Sequence, residues 1–195
     1  MQQFLSNLDN YPDIKDVYDY WLSLRPEGKM IPARKALQPQ ALLPLLPNCF
    51  LLEHPAKGEV YIRLFGTALV ERAGLELTGI NLLKHWPIAD QKLIEQFWTA
   101  ALRQPCITQY VISTANESGL SKQCLRTLFP LLDSTEEPRI LFGYDHFLGL
   151  GDIYDNAKEG KLMATYQQIH FHDIGAGLPE ENFAALLNRQ IPFSL

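Results

Sequence analysis

The arginine of YIRLF has an aromatic residue two places away on either side. On an extended strand Tyr61, Arg63 and Phe65 share one face while Val60, Ile62 and Leu64 share the other, so a guanidinium lies between two rings. Such a group forks readily onto a carboxylate. That carboxylate can belong to a ligand inside a pocket or to an internal acid such as Glu53 or Glu76. The internal ion pair is the expectation, because buried arginines are usually paired within their own chain.

Other reactive side chains form no complete constellation. His170 and His172 in IHFHD lie on one face of a strand and, with Asp173, supply part of a transition-metal site, but no third strong ligand stands near them. The solvated face of an amphipathic strand is the simpler reading. Asp145 and His146 are adjacent, so on a strand they point to opposite faces and cannot pair directly. Cys49, Cys106 and Cys124 are odd in number, far apart and without a Cys-x-x-Cys spacing, which suits buried free thiols. No Gly-x-Ser-x-Gly nucleophile elbow occurs. The expectation is a protein that is not an enzyme.

FGTALVERAG lacks both glycine spacings through which backbone amides surround phosphates. Gly66 and Gly79 read instead as strand-exit and helix-end glycines that take positive φ at low cost. The formal charge of −5, with lysines and arginines scattered, leaves no footprint for a phosphate backbone, and nucleic-acid binding is disfavoured. MQQFLSNLDNYPD has no basic stretch before an apolar core, and no apolar run reaches membrane-spanning length. These features predict a cytoplasmic protein with no membrane partner.

These side chains need elements to position them. With 195 residues, 47% of them hydrophobic and 20% charged, the chain can bury one good core, and it reads as a single domain. Asp13 is placed to cap a helix whose Ile14, Val17, Tyr18, Trp21 and Leu22 share a face. Five prolines from Pro26 to Pro47 preclude long regular structure and suggest an ordered wrap, with a short helix possible at QPQALLPLL. CFLLEH and EVYIRLFG, separated by PAKG, read as a hairpin. TALVERAG and GINLLKHW are short helical pieces, and Asp90 is placed to cap a longer helix with Leu93, Ile94, Phe97, Trp98, Ala101 and Leu102 inward. CITQYVIST, KQCLRTLFPLL and RILFGYDHFL follow as an antiparallel meander. Beyond them GLGDIYDNAKEG reads as a loop and LMATYQQIHFHDIG as extended, with Pro179 starting a closing helix that turns Phe183, Leu186 and Leu187 inward.

Two strands, a helical crossover and three strands is the element order of the PAS fold. Between Tyr20 and Trp86 the chain resembles the bacterial PAS-like family numbered five in domain catalogues. Trp21, Arg25, Pro32, Arg34, Pro39, Leu46, Pro47, Arg63, Leu64, Gly66, Thr67, Gly74, Leu77, Thr78 and Gly79 stand at its pattern positions. The likeness continues more loosely through FPLL and ILFGY and leaves the tail after about Gly149 uncovered. GINLLKHW is similar to the flavin-adduct phrase of light-sensing PAS domains but carries Leu82 at the cysteine place, which argues against thiol–flavin photochemistry. His85 lies in the crossover where some haem-binding relatives place helices, although a histidine there more often caps or packs.

The resemblance implies an α+β, PAS-like fold: a central antiparallel sheet of about five strands with helices over one face. Residues 1–46 form an N-terminal helix and wrap, 47–148 the core and 149–195 a C-terminal extension. It also implies a sensory or regulatory domain that binds an unidentified small molecule and signals as a homodimer or through a separate effector protein. No attached output domain is expected, and the sequence names no cofactor. The alternative is a ligand-free interaction or dimerisation module. Candidate ligand-binding residues are Arg63, Tyr61, Phe65, Trp86, Trp98, Tyr110, Phe129, Phe142 and Tyr144, which can line a space between sheet and crossover helices.

Overall fold

A computed structural model of the chain describes residues 4, 5, 8–115, 121–151 and 162–194. Seven strands among the described residues form one antiparallel sheet: β1 (Cys49–Glu53), β2 (Tyr61–Phe65), β3 (Cys106–Ala115), β4 (Ser121–Leu132), β5 (Pro138–Gly151), β6 (Leu162–Asp173) and β7 (Gln190–Phe193). Their order is β2-β1-β5-β4-β3-β6-β7. The hairpin and the three-strand meander of the sequence reading are both present. The sheet exceeds the expected five strands because the tail adds two.

β6 runs the whole length of β3, from Cys106↔Asp173 to Ala115↔Met163, and β7 pairs with its first four residues. A closing helix after Pro179 does not form. Ala184–Leu186 make one 3-10 turn, Asn188 reverses the chain at φ 57°, and the remaining residues extend as β7. Phe183 and Leu186 are buried as expected, while Leu187 is exposed. The segment 152–161, most of the stretch expected as a loop, lies outside the described residues.

Both faces of the sheet are covered. Helix α1 (Pro12–Ser23) and the proline-rich wrap lie on one face, where Ile14, Val17, Tyr18 and Trp21 join Phe129, Phe142 and Tyr144 in a core. The indole N–H of Trp21 donates to the carbonyl of Pro130 at 3.1 Å, which fixes the helix against β4. Pro12 starts this helix with its preset φ, so Asp13 sits inside the first turn and is not the cap.

Helices α2 (Thr67–Ala73) and α3 (Ile88–Arg103) cover the other face. Ile94, Phe97, Trp98, Ala101 and Leu102 of α3 are buried and Leu93 packs at their margin, as the periodicity predicted. Asp90 again is not the cap, a place taken by Pro87; it is buried and paired with Arg189 at 2.7 Å, tying α3 to the C-terminal segment. Between the helices, the side-chain oxygen of Asn81 accepts from the amides of Val60 and Leu83 at 3.1 and 3.2 Å. This fastens the crossover to the hairpin.

The two crossover glycines serve different ends. Gly79 does adopt positive φ, at 89°. Gly66 does not: its φ is −64°, and a Cβ there would collide with the carbonyls of Leu46 and Pro47. Close approach of two backbones makes Gly66 necessary, and the helix-ending turn belongs to Gly74, at φ 72°.

Candidate functional site

Between the sheet and helices α2 and α3 lies a cavity of about 380 Å³. Strand alternation decides what reaches it. Phe50 and Leu52 come from β1, Cys124 and Arg126 from β4, and Asp145 from β5, while the residues between them face the α1 core. The crossover and α3 add Leu69, Leu77, Leu82, Trp86 and Trp98, and β6 and β7 close one end with Ala164, Tyr166 and Phe193. The wall is therefore mainly apolar and aromatic, with a small polar inset.

That inset is a cross-strand ion pair. Arg126 and Asp145 are register partners on β4 and β5, and Nε and Nη2 of the arginine donate to the two carboxylate oxygens at 2.7 Å each. The Asp145 side chain is 4% exposed, whereas Arg126 keeps 18% of its surface accessible and lines the cavity. Burial alone would lower the arginine pKa, but Asp145 outweighs it and holds the group firmly charged.

Beneath the pair lies a ring that only a glycine admits. Phe50 and Gly143 are partners on β1 and β5, and a Cβ on Gly143 would fall inside the Phe50 ring. With no side chain opposite, the ring lies flat across β5, and the Arg126 guanidinium sits 4.6 Å from its centroid. Sequence, register and cation placement are linked in this one contact.

Nearby donors lack acceptors. Trp86 Nε1, Trp98 Nε1 and the hydroxyls of Tyr110 and Tyr166 are buried with no hydrogen-bond partner among the described residues. The rings interlock, with Tyr110–Tyr166 centroids 5.5 Å apart and Trp86–Trp98 at 6.2 Å. At the rim, Arg72 donates to Asn48 Oδ1 at 2.6 Å, and Lys122 donates to the Arg72 carbonyl at 2.7 Å. The cavity thus has two cations at its rim and a third on its wall.

The candidate residues divide among three places. Phe65, Trp86 and Trp98 line the cavity, and Tyr110 is fully buried behind it against Tyr166 and Phe97. Phe129, Phe142 and Tyr144 lie on the opposite face in the α1 core. Arg63 and Tyr61 are outside: Arg63 is exposed, bonds Glu53 through Nε and rests over the Tyr61 ring at 4.8 Å. The internal partner expected for Arg63 is thus present, although the arginine is not buried.

A bulge explains the separation of Arg63 from Phe65. Leu64 pairs with Leu51 and Ile62 with Leu52, so Arg63 is the extra residue and the alternation shifts across it. Ile62 and Phe65 then both face the cavity, while Leu64 packs on the α1 side. The sequence reading does not single out Arg126, and it weighs Asp145 only against His146. Their signal was a lone charge inside each of two apolar strand runs, LRTLF and FGYDHF.

The remaining reactive groups have structural surroundings. His172 is half-buried against Phe4, with ring centroids 4.5 Å apart, and burial first and His170 second push its pKa down to about 4. Asp173 accepts from the amides of Gly175 and Gly177, so its carboxylate is held in the turn. No group of three or more His, Cys, Asp or Glu side chains placed to hold a metal ion occurs among the described residues. The three cysteines are free and buried, which raises the thiol pKa of Cys49 and Cys106 to about 12 and of Cys124 to about 11. His85 lies near the chain end, its Nδ1 against the carbonyl of Ser194 at 2.5 Å.

A family model described as "PAS domain" matches residues 10–144. No curated protein matches the sequence. Among solved structures, a LOV protein of Rhodobacter sphaeroides is similar at 16% identity with a TM-score of 0.40, covering 52% of this chain and 58% of that one. A light-oxygen-voltage domain studied with a flavin analogue is similar at 16% identity with a TM-score of 0.42, covering 56% of this chain and 83% of that one.

Proposed function

The chain belongs to the PAS domain family, whose members are generally sensory, signalling modules, and from that premise we propose that it is a non-enzymatic sensor that takes a small molecule into the cavity between its sheet and helices α2 and α3. The observation that carries this reading is the cavity itself. Protein interiors are packed to crystal-like density, and about 380 Å³ left open behind an aromatic wall is the size of a small-molecule site. Occupancy would bias the domain between states, and the signal would leave by contact with a second copy or a separate effector. Helix α1 is the surface proposed for that contact.

Native mass spectrometry of freshly purified protein tests the reading. The expected result is a retained mass that disappears on denaturation and in an Ala164→Leu variant, whose larger side chain would fill the space where Ala164 lines the wall. A bare polypeptide mass in the wild-type protein, together with no thermal stabilisation by a small-molecule library, would overturn it in favour of a ligand-free interaction module.

A further inference from the structure

The polar groups of the cavity are unbalanced in a way that restricts what fits. Arg126, Arg72 and Lys122 are its cationic side chains, against Asp145 and Glu71. Each oxygen of Asp145 already accepts from Arg126, through Nε and Nη2. Neither of these bonds uses Arg126 Nη1, and the accessible part of this side chain lies in the cavity wall. One edge of a buried, permanently charged fork is therefore left open by Asp145.

The surroundings of that edge repeat the imbalance. Trp98 Nε1 and the Tyr110 and Tyr166 hydroxyls are buried without a partner in hydrogen-bonding geometry; an indole N–H can only donate, and a hydroxyl both donates and accepts. Native interiors leave few buried polar groups unpaired, because each carries an uncompensated desolvation cost. Even with both hydroxyl oxygens accepting, the N–H and O–H groups of Arg126, Trp98, Tyr110 and Tyr166 outnumber these acceptors, so the missing partner is an acceptor. The rest of the lining, from Phe50 through Leu82 to Phe193, asks for an apolar body.

Resting on the sensory reading above, we propose that the ligand is an organic monocarboxylate with an apolar body, its carboxylate directed to the open edge of Arg126. A carboxylate is an acceptor-only head with geometry matched to a guanidinium edge, and the Phe50 ring beneath holds that edge in place. An amine would meet three cations, against Glu71 and an Asp145 already paired with Arg126. A neutral amide supplies one acceptor but also brings an NH2 group into a surrounding rich in donors.

The test measures binding of phenylacetate, octanoate, phenylacetamide and 2-phenylethylamine to the full chain by calorimetry and thermal shift. The expected result is binding of at least one of the two acids, with the amide at least tenfold weaker than phenylacetate and the amine inert. An Arg126→Met/Asp145→Leu double variant, which removes both charges together, is expected to keep the fold and lose the preference for acid over amide. A Tyr166→Phe variant is expected to bind acid about tenfold more weakly while the ligand-free protein is no less stable. Equal binding of acid and amide, or a preference that survives in the double variant, overturns the ligand class. Failure of both acids overturns it too. The sensory reading falls separately, only if the same preparation shows the bare polypeptide mass and no compound stabilises it.

Discussion

Asp145 and His146 are neighbours on β5 and bind on opposite sides of the sheet. Asp145 holds Arg126 in the cavity wall, while His146 Nδ1 lies 2.6 Å from Asp13 Oδ2 at the start of α1. Tyr144, the residue on the other flank of Asp145, donates its hydroxyl to the same Asp13 oxygen at 2.9 Å. One short piece of strand therefore touches both the proposed ligand space and the proposed output helix.

The Asp13 contact predicts an acid-sensitive attachment of α1. Burial raises the Asp13 pKa, but hydrogen bonds from His146 and Tyr144 outweigh it and leave the value below its usual 3.8. A carboxylate lowered on folding adds stability above its unfolded pKa and loses it as pH falls through the folded one. Urea unfolding followed between pH 7 and pH 3 should show this loss at the acid end in wild-type protein and a smaller one in Asp13→Asn. At pH 7 the variant should cost about 1 kcal/mol.

His172 predicts a second, separate pH window. Its pKa falls from 6.5 to about 4 on folding, so the unfolded chain takes up a proton first as pH drops. Stability should be full above pH 6.5 and decline toward pH 4, by about 1–2 kcal/mol after allowing for solvent screening of a partly exposed ring. His172→Phe, which keeps the aromatic contact with Phe4, should flatten this part of the profile. An unchanged slope would show that another group is responsible.

Gly143→Ala should disturb the platform under Arg126 without touching either charge. The added methyl enters the space of the Phe50 ring, and overpacking of this kind costs about 1–3 kcal/mol. The expected outcome is a lower melting temperature that Phe50→Leu in the same chain partly restores. Simple additivity of the two losses would break the proposed contact.

The Arg126–Asp145 pair should behave asymmetrically. Arg126→Met strands a carboxylate that is 4% exposed and should cost about 3–5 kcal/mol, whereas removing both partners should cost much less. Chemical denaturation of the two single variants and the double variant gives the coupling directly.

The periodic parts of the fold were readable in the sequence, and the departures from period were not. The inward stripe of α3 and the meander follow from spacing. The Arg63 bulge depends on pairing with β1, a long-range choice that leaves no local mark, and it alone separates Arg63 from the cavity that Phe65 lines. Both predicted helix caps misplaced an aspartate because proline opened the helix instead, leaving Asp13 and Asp90 free to bond distant partners. Arg126 and Asp145 lie 19 residues apart and become a pair only through strand register. β7 was hidden because four residues around a proline carry too little pattern to outweigh a helix reading.

The two added strands also alter how this sheet meets its surroundings. In a sheet ending at β3, ten residues of open backbone would face outward and invite pairing with another chain. Here β6 saturates β3, and over the first four residues of β6 the strand beyond it, β7, is itself only four residues long and includes Pro192, which has no amide to offer. On the far side, β2 is occupied by the crossover, through bonds from Gly79 to Ile62, Ile62 to Ile80 and Leu82 to Val60. The margins at β2 and β7 are thus poor templates for strand addition, and the edge that remains is the stretch of β6 beyond its pairing with β7. Strand addition is therefore confined to one short stretch of a single strand, which leaves little template for growth into fibres.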